Sequence, residues 1–185
     1  MSYADLKNDL EDFGEQVTNI LVEMDILEQC KKFQIDHIGL RIRAREMVDY
    51  LHSQILKEGI LLSSSIVNER KIFIFELNEP LSMGYWRINC IELPYPKSPH
   101  LYHKDGWEHV EFVIPSQAIS LNSFRKEFKR VFNKISINRL KQEFQYKEMT
   151  PFAKDDMFSN PTISVSKAIG LTVKFHPRGI KEIIA

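Results

Sequence analysis

Two short segments carry residues that could do metal chemistry. They are Asp36-His37-Ile38-Gly39-Leu40-Arg41 and Glu108-His109-Val110-Glu111-Phe112-Val113, and they read almost alike. Each sets a histidine on the polar side of an alternating, strand-like run. Glu92, in Ile91-Glu92-Leu93-Pro94, ends a third run of the same kind. Imidazole nitrogens suit Zn, Ni, Fe or Mn, and one carboxylate offsets part of a dication's charge. His37, Glu92 and His109 are therefore the candidate ligands of a divalent metal ion, with coordination positions left open for a substrate.

Strand parity extends this polar face. His37, Gly39 and Arg41 oppose Ile38, Leu40 and Ile42, while Trp107, His109 and Glu111 oppose Val110, Phe112 and Ile114. Near the chain's end, Thr172, Lys174 and His176 oppose Leu171, Val173 and Phe175. Arg41, Lys174 and His176 are the candidate contacts to an anionic, small-molecule ligand. Glu111 is the candidate general base, because a carboxylate in a dry cleft has a raised pKa. The plainer reading is a solvated outer face of an antiparallel sheet, with Arg41 in a structural salt bridge. That reading does not predict histidines at matching places in two segments. His52 is expected to be solvated on a helix. His100 and His103 fall in a loop that could cover the site, with His103 able to reach in. Trp86 and Trp107 are expected to pack in the core or cleft wall. Cys90 has the parity of Glu92, although a small buried thiol is its default role.

The elements that must position these residues follow from periodicity. Leu6, Leu10, Phe13, Val17, Ile20, Leu21, Met24 and Leu27 recur at three- and four-residue spacing, so Ala4 to Cys30 reads as an amphipathic helix or helix pair, with a kink at Gly14. Its stripe must bury against the main domain or a second subunit. A strand over 35–42, a helix over 46–57, a hairpin of 60–67 and 72–77 around Asn68-Glu69-Arg70, and a strand over 86–93 give β-α-β-β-β. The order then restarts: a strand over 107–114, a helix over 121–132, an irregular strand over 144–149, and a hairpin of 162–166 and 171–176. A repeated unit of this size reads as an internal duplication.

Composition bounds the partners. The 185 residues hold 25 Lys+Arg and 25 Asp+Glu, so no excess of positive charge calls for nucleic acid or an anionic membrane. Cys30 and Cys90 lack the close spacing of a cysteine zinc site or a disulfide framework. Met1-Ser2-Tyr3-Ala4-Asp5 is polar, unlike a secretory signal, and no apolar run approaches the roughly 20 residues that span a bilayer. A cytoplasmic location is the expectation, and a homo-oligomer is neither required nor excluded.

Five motifs in order, Asp36 to Arg41, Ile91 to Pro94, Gly106 to Glu111, Asn160-Pro161-Thr162 and Val173-Lys174-Phe175-His176-Pro177, resemble those of the bacterial YecM-like family. The resemblance runs from about Gln34 to the end. That family is similar to the vicinal-oxygen-chelate superfamily of glyoxalases, extradiol dioxygenases and fosfomycin-resistance proteins. The resemblance implies an α+β fold in which two tandem β-α-β-β-β modules form a curved, mostly antiparallel sheet with a cleft, plus an N-terminal helical extension. The expected boundaries are 1–34 for the extension, 35–97 and 107–178 for the modules, 98–106 for the loop between them and 179–185 for a tail, all in one structural domain. It also implies ligands from the first and last strands of each module: His37 and Glu92, then His109 and the place held by Lys174. An ammonium has no lone pair to donate, so this departs from the superfamily's usual glutamate. Glu111 could substitute as the acid, or Lys174 could neutralise Glu92 and leave no metal bound. Three functions follow: a metal-dependent isomerase, lyase or dioxygenase acting on a small oxygenated metabolite; a non-catalytic small-anion-binding protein using the same cleft; and an interaction protein using the N-terminal stripe or a sheet edge. The reaction itself is not inherited with the scaffold.

Overall fold

A computed structural model describes residues 1–97, 104–151, 158–167 and 170–184. The elements run α1 (Tyr3–Asn8), α2 (Leu10–Glu23), α3 (Leu27–Cys30), β1 (Ile35–Arg41), α4 (Arg45–Ile55), β2 (Gly59–Val67), β3 (Arg70–Met83), β4 (Trp86–Pro94), β5 (Gly106–Val113), α5 (Leu121–Val131), α6 (Ile137–Glu143), β6 (Gln145–Met149), β7 (Thr162–Ser166), β8 (Thr172–His176) and α7 (Ile180–Ile183).

The strands form one mixed sheet in the order β2-β3-β4-β1-β5-β8-β7-β6. Each module runs first, fourth, third, second strand outward from the centre, so β1 and β5 are neighbours and pair antiparallel. Within each module the first and fourth strands pair parallel, β1 with β4 and β5 with β8. All other pairings are antiparallel. This is the expected α+β fold of two β-α-β-β-β modules. The β2–β3 hairpin turns at Asn68 and Glu69, both with positive φ (49° and 66°), as a two-residue turn matched to strand twist requires.

One hydrophobic core runs under the apolar face of the sheet and joins all parts of the chain. Phe124, Phe128 and Phe132 are buried, and the last two set their rings edge-on to Phe175 at 5.3 and 5.5 Å. Leu6, Leu10, Phe13, Val17 and Leu21 of the N-terminal helices join the same core, so the stripe is covered by the protein's own domain. Trp86 Nε1 donates to the Cys30 carbonyl (3.0 Å) and Trp107 Nε1 to the Leu6 carbonyl (2.7 Å), which ties these helices to the starts of β4 and β5.

Four local expectations change. The N-terminal helix breaks at Asp9, between α1 and α2, and not at Gly14. Gly14 lies inside α2, where a Cβ would meet Met83 Cγ at 2.7 Å, so its role is close packing. The short helices α6 and α7 were not foreseen; α6 starts at the Ser136 cap and buries Ile137 and Leu140. β3 is much longer than 72–77 and shifts register between Glu76 and Leu81. His52 is half-buried, with its ring 4.6 Å from Phe73 and 5.2 Å from Phe75, because the β3 aromatics reach under α4.

Candidate metal centre

The polar face of the central strands is not solvated. His37, His109 and His176 are 1–3% exposed, and Glu111 is 8%. Strand register brings them together: His37 pairs with Glu111, and Gly39 lies between Glu92 on β4 and His109 on β5. Gly39 leaves room there for the His109 ring, since a Cβ would overlap all three of its nearest ring atoms. His37, Glu92, His109 and Glu111 each offer a ligand atom, and these atoms lie within 4.8 Å of one another. His37 Nε2 is 3.6 Å from Glu92 and 3.4 Å from Glu111; His109 Nε2 is 3.8 and 3.5 Å from the same carboxylates.

Two bulges aim the imidazoles. The β1–β5 register slips once between Ile35 and His37 and once between Gly39 and Leu40. The extra residues are Asp36 on β1 and Glu108 on β5, each placed just before a histidine. The Asp36 carboxylate lies 2.9 Å from His37 Nδ1, and that of Glu108 lies 3.2 Å from His109 Nδ1. A carboxylate on Nδ1 fixes the tautomer and leaves Nε2 as the lone-pair donor, as carboxylate–histidine–metal pairs do. The second bulge also reverses the parity of Trp107. It pairs with Leu40 and packs against Phe13 at 6.4 Å, on the core side and not beside His109. Bulges next to sites that need a re-aimed side chain are a known use of this irregularity. The signal was present in sequence as an acid directly before each histidine, and only the register gives it meaning.

The other expected site residues occupy a ring around this cluster. Lys174 Nζ is 2.6 Å from Glu111 Oε1. His176 donates Nδ1–H to the Arg178 carbonyl (2.6 Å), which turns Nε2 toward Glu111 Oε2 (3.3 Å) and Asp36 Oδ2 (3.5 Å). Arg41 pairs with Glu108, so it braces the carboxylate that holds His109. Cys90 is buried, in keeping with its default role. His100 and His103 lie outside the described residues.

Electrostatics divide the four central groups. For His37, burial pushes the pKa down, yet the nearby Glu111 charge, the Asp36 bond at Nδ1 and the Glu92 carboxylate outweigh it and hold the pKa well above the ordinary histidine value. For His109, burial and then the Lys174 ammonium lower it to about 3. The two histidines differ because the Glu111 charge and the Asp36 bond favour the charged form of His37, while Lys174 and His37 bear on His109. Burial raises Glu92, but His37 facing it and the other positive charges nearby bring it to about 2. Glu111 goes well below the carboxylate range, since Lys174, His37 and His176 outweigh its burial. The raised pKa expected of Glu111 is thus reversed: the cleft is dry but lined with cations.

The YecM protein family profile matches residues 2–185. The chain belongs to the YecM family. It is 29% identical to Protein YecM of Escherichia coli strain K12 over 184 residues, covering 96% of this chain and 94% of that one. An uncharacterized protein of Haemophilus influenzae is 31% identical over 184 residues, at 97% and 92% coverage. The structural-genomics structure of Protein EC4020 superposes with a TM-score of 0.78 at 28% identity, over 98% of this chain and 90% of that one. The fold of this family member is therefore shared along nearly its whole length. No described helix is long and apolar enough to cross a membrane.

The residues fit a divalent metal. His37, His109 and His176 each bury an Nε2 that has no hydrogen-bond partner, and the first two face ionised carboxylates. Buried polar atoms are normally satisfied, so orphans aimed at one point call for a ligand.

Proposed function

We propose that the chain is a metal-dependent enzyme of isomerase, lyase or dioxygenase type, acting on a small oxygenated metabolite in the cleft. The observation that carries this is the pair of orphaned Nε2 atoms of His37 and His109 facing Glu92 and Glu111. His37, Glu92 and His109 would hold the ion, whose bound form would polarise a chelated carbonyl or enolate oxygen. Glu111 is a poor general base here, because the cations around it hold its pKa well below the carboxylate range and leave it weakly basic. Lys174 is the chain's own contact to an anionic group of the substrate, and His176 faces the far oxygen of Glu111.

The test is metal analysis of untagged protein. A stoichiometric Zn, Ni, Fe or Mn that disappears in the His37→Ala, His109→Ala double variant is the expected result. Protein that takes up none of these metals at neutral pH would sink the proposal.

Small-anion binding without metal is the second reading, and one observation favours it. A protonated His37 and Lys174 already balance Glu92 and Glu111. Under that reading an oxyanion such as phosphate binds metal-free protein, and a chelator leaves its affinity unchanged.

A further inference from the structure

The sheet order repeats about the β1–β5 boundary, so the paired first and fourth strands of one module have counterparts in the other. In module one, Ile38 pairs with Ile91 and Gly39 with Glu92. In module two, Val110 pairs with Val173 and Glu111 with Lys174. His37 corresponds to His109, Gly39 to Glu111, and Glu92 to Lys174. Module one thus carries its acid on the fourth strand opposite a glycine. Module two carries its acid on the first strand, opposite a lysine.

We infer that the module-two acid has moved across the pair from β8 to β5, and that Lys174, in Glu92's place, positions Glu111 as the fourth metal ligand. The inference rests on the metal reading above. Glu111 is held at Oε1 by Lys174 Nζ at 2.6 Å, and its Oε2 faces His176 Nε2 at 3.3 Å. Its Oε1 also lies 3.4–3.5 Å from the Nε2 atoms of His37 and His109, so the oxygen that Lys174 holds is the one facing the ligand set. The exchange changes charge as well as place. Glu111 with Lys174 sums to zero, whereas Gly39 with Glu92 sums to minus one. A metal centre with this pair is one charge more positive than one built from two module-one pairs, which favours a carboxylate-bearing chelating ligand.

The swap can be reversed. Co2+ binding to full-length, untagged protein is followed by calorimetry and visible absorption. Glu111→Gly alone should weaken Co2+ by about 10- to 100-fold. Adding Lys174→Glu should restore it to within about threefold, because module two then copies module one. The restored variant should hold oxalate on the bound Co2+ about tenfold more weakly than the parent does. Unchanged Co2+ affinity in Glu111→Gly would overturn the inference. So would a folded double variant, judged by circular dichroism, that binds no better than the single, or equal oxalate affinity in parent and double. A Co2+-soaked crystal of the parent decides without variants. Cobalt bonded to Glu111 supports the inference; cobalt on His37, Glu92 and His109 alone, with Glu111 left on Lys174, refutes it and spares the metal reading. A parent that binds no Co2+ refutes both.

Discussion

The His109 ring packs against Gly39, in the space that any side chain at residue 39 would fill. The glycine has no unusual backbone angle to explain it, since the positive-φ residues lie elsewhere. It is small because the His109 ring from the next strand crosses over it.

Gly39→Ala should therefore displace His109 from the ligand set. Metal affinity should fall at least tenfold, with a smaller loss of stability as the ring is pushed into neighbours. Calorimetric titration with Zn2+ beside a thermal melt separates the two effects. Retained affinity would mean that His109 is not a ligand.

Metal uptake should release close to one proton near neutral pH. His37 carries a raised pKa, so its proton must leave, whereas His109 at about 3 is already neutral and Glu92 at about 2 already ionised. Affinity should rise with pH up to the folded His37 value and then level off. Titrations in buffers of different ionisation heat count the proton directly.

Stability of the metal-free protein should respond to the same groups with opposite signs. The raised His37 contributes stability below about pH 6.5, which is lost as pH rises through its folded value. The depressed Glu92 contributes stability above about pH 4.5, which is lost as pH falls toward 2. The depressed His109 also costs stability on acidification, because the unfolded chain takes up its proton first. The gap between the parent and Glu92→Gln in denaturant melts should thus be widest at neutral pH and close toward pH 2.

Glu108→Gln should weaken metal binding by about 10- to 100-fold without removing a ligand. The neutral amide is a poorer acceptor for His109 Nδ1–H and frees Arg41 from its partner. Glu108→Ala with wild-type affinity would remove the carboxylate from the site's account.

Glu69→Gly should stabilise the fold by about 1 kcal/mol. Glu69 sits at φ 66° in the β2–β3 turn, where an L side chain costs roughly that much and glycine does not. A higher melting temperature with unchanged metal binding is the expected pair of results.

Much of this protein could be read from residue order. Alternation and three- and four-residue spacing are local, so they marked both modules, the amphipathic N-terminus and the side of the sheet on which His37, His109, Glu92, Lys174 and His176 stand. Other features needed the third dimension. Bulges are set by pairing between strands distant in sequence, so the roles of Asp36 and Glu108, and the turn of Trp107 into the core, were invisible in a single strand's alternation. The glycine at residue 39 has meaning only once β5 lies beside β1. The charge state of Glu111 was misjudged from sequence because desolvation raises a carboxyl's pKa while adjacent cations lower it. Which of them wins depends on distances of a few ångströms that only the packed sheet defines.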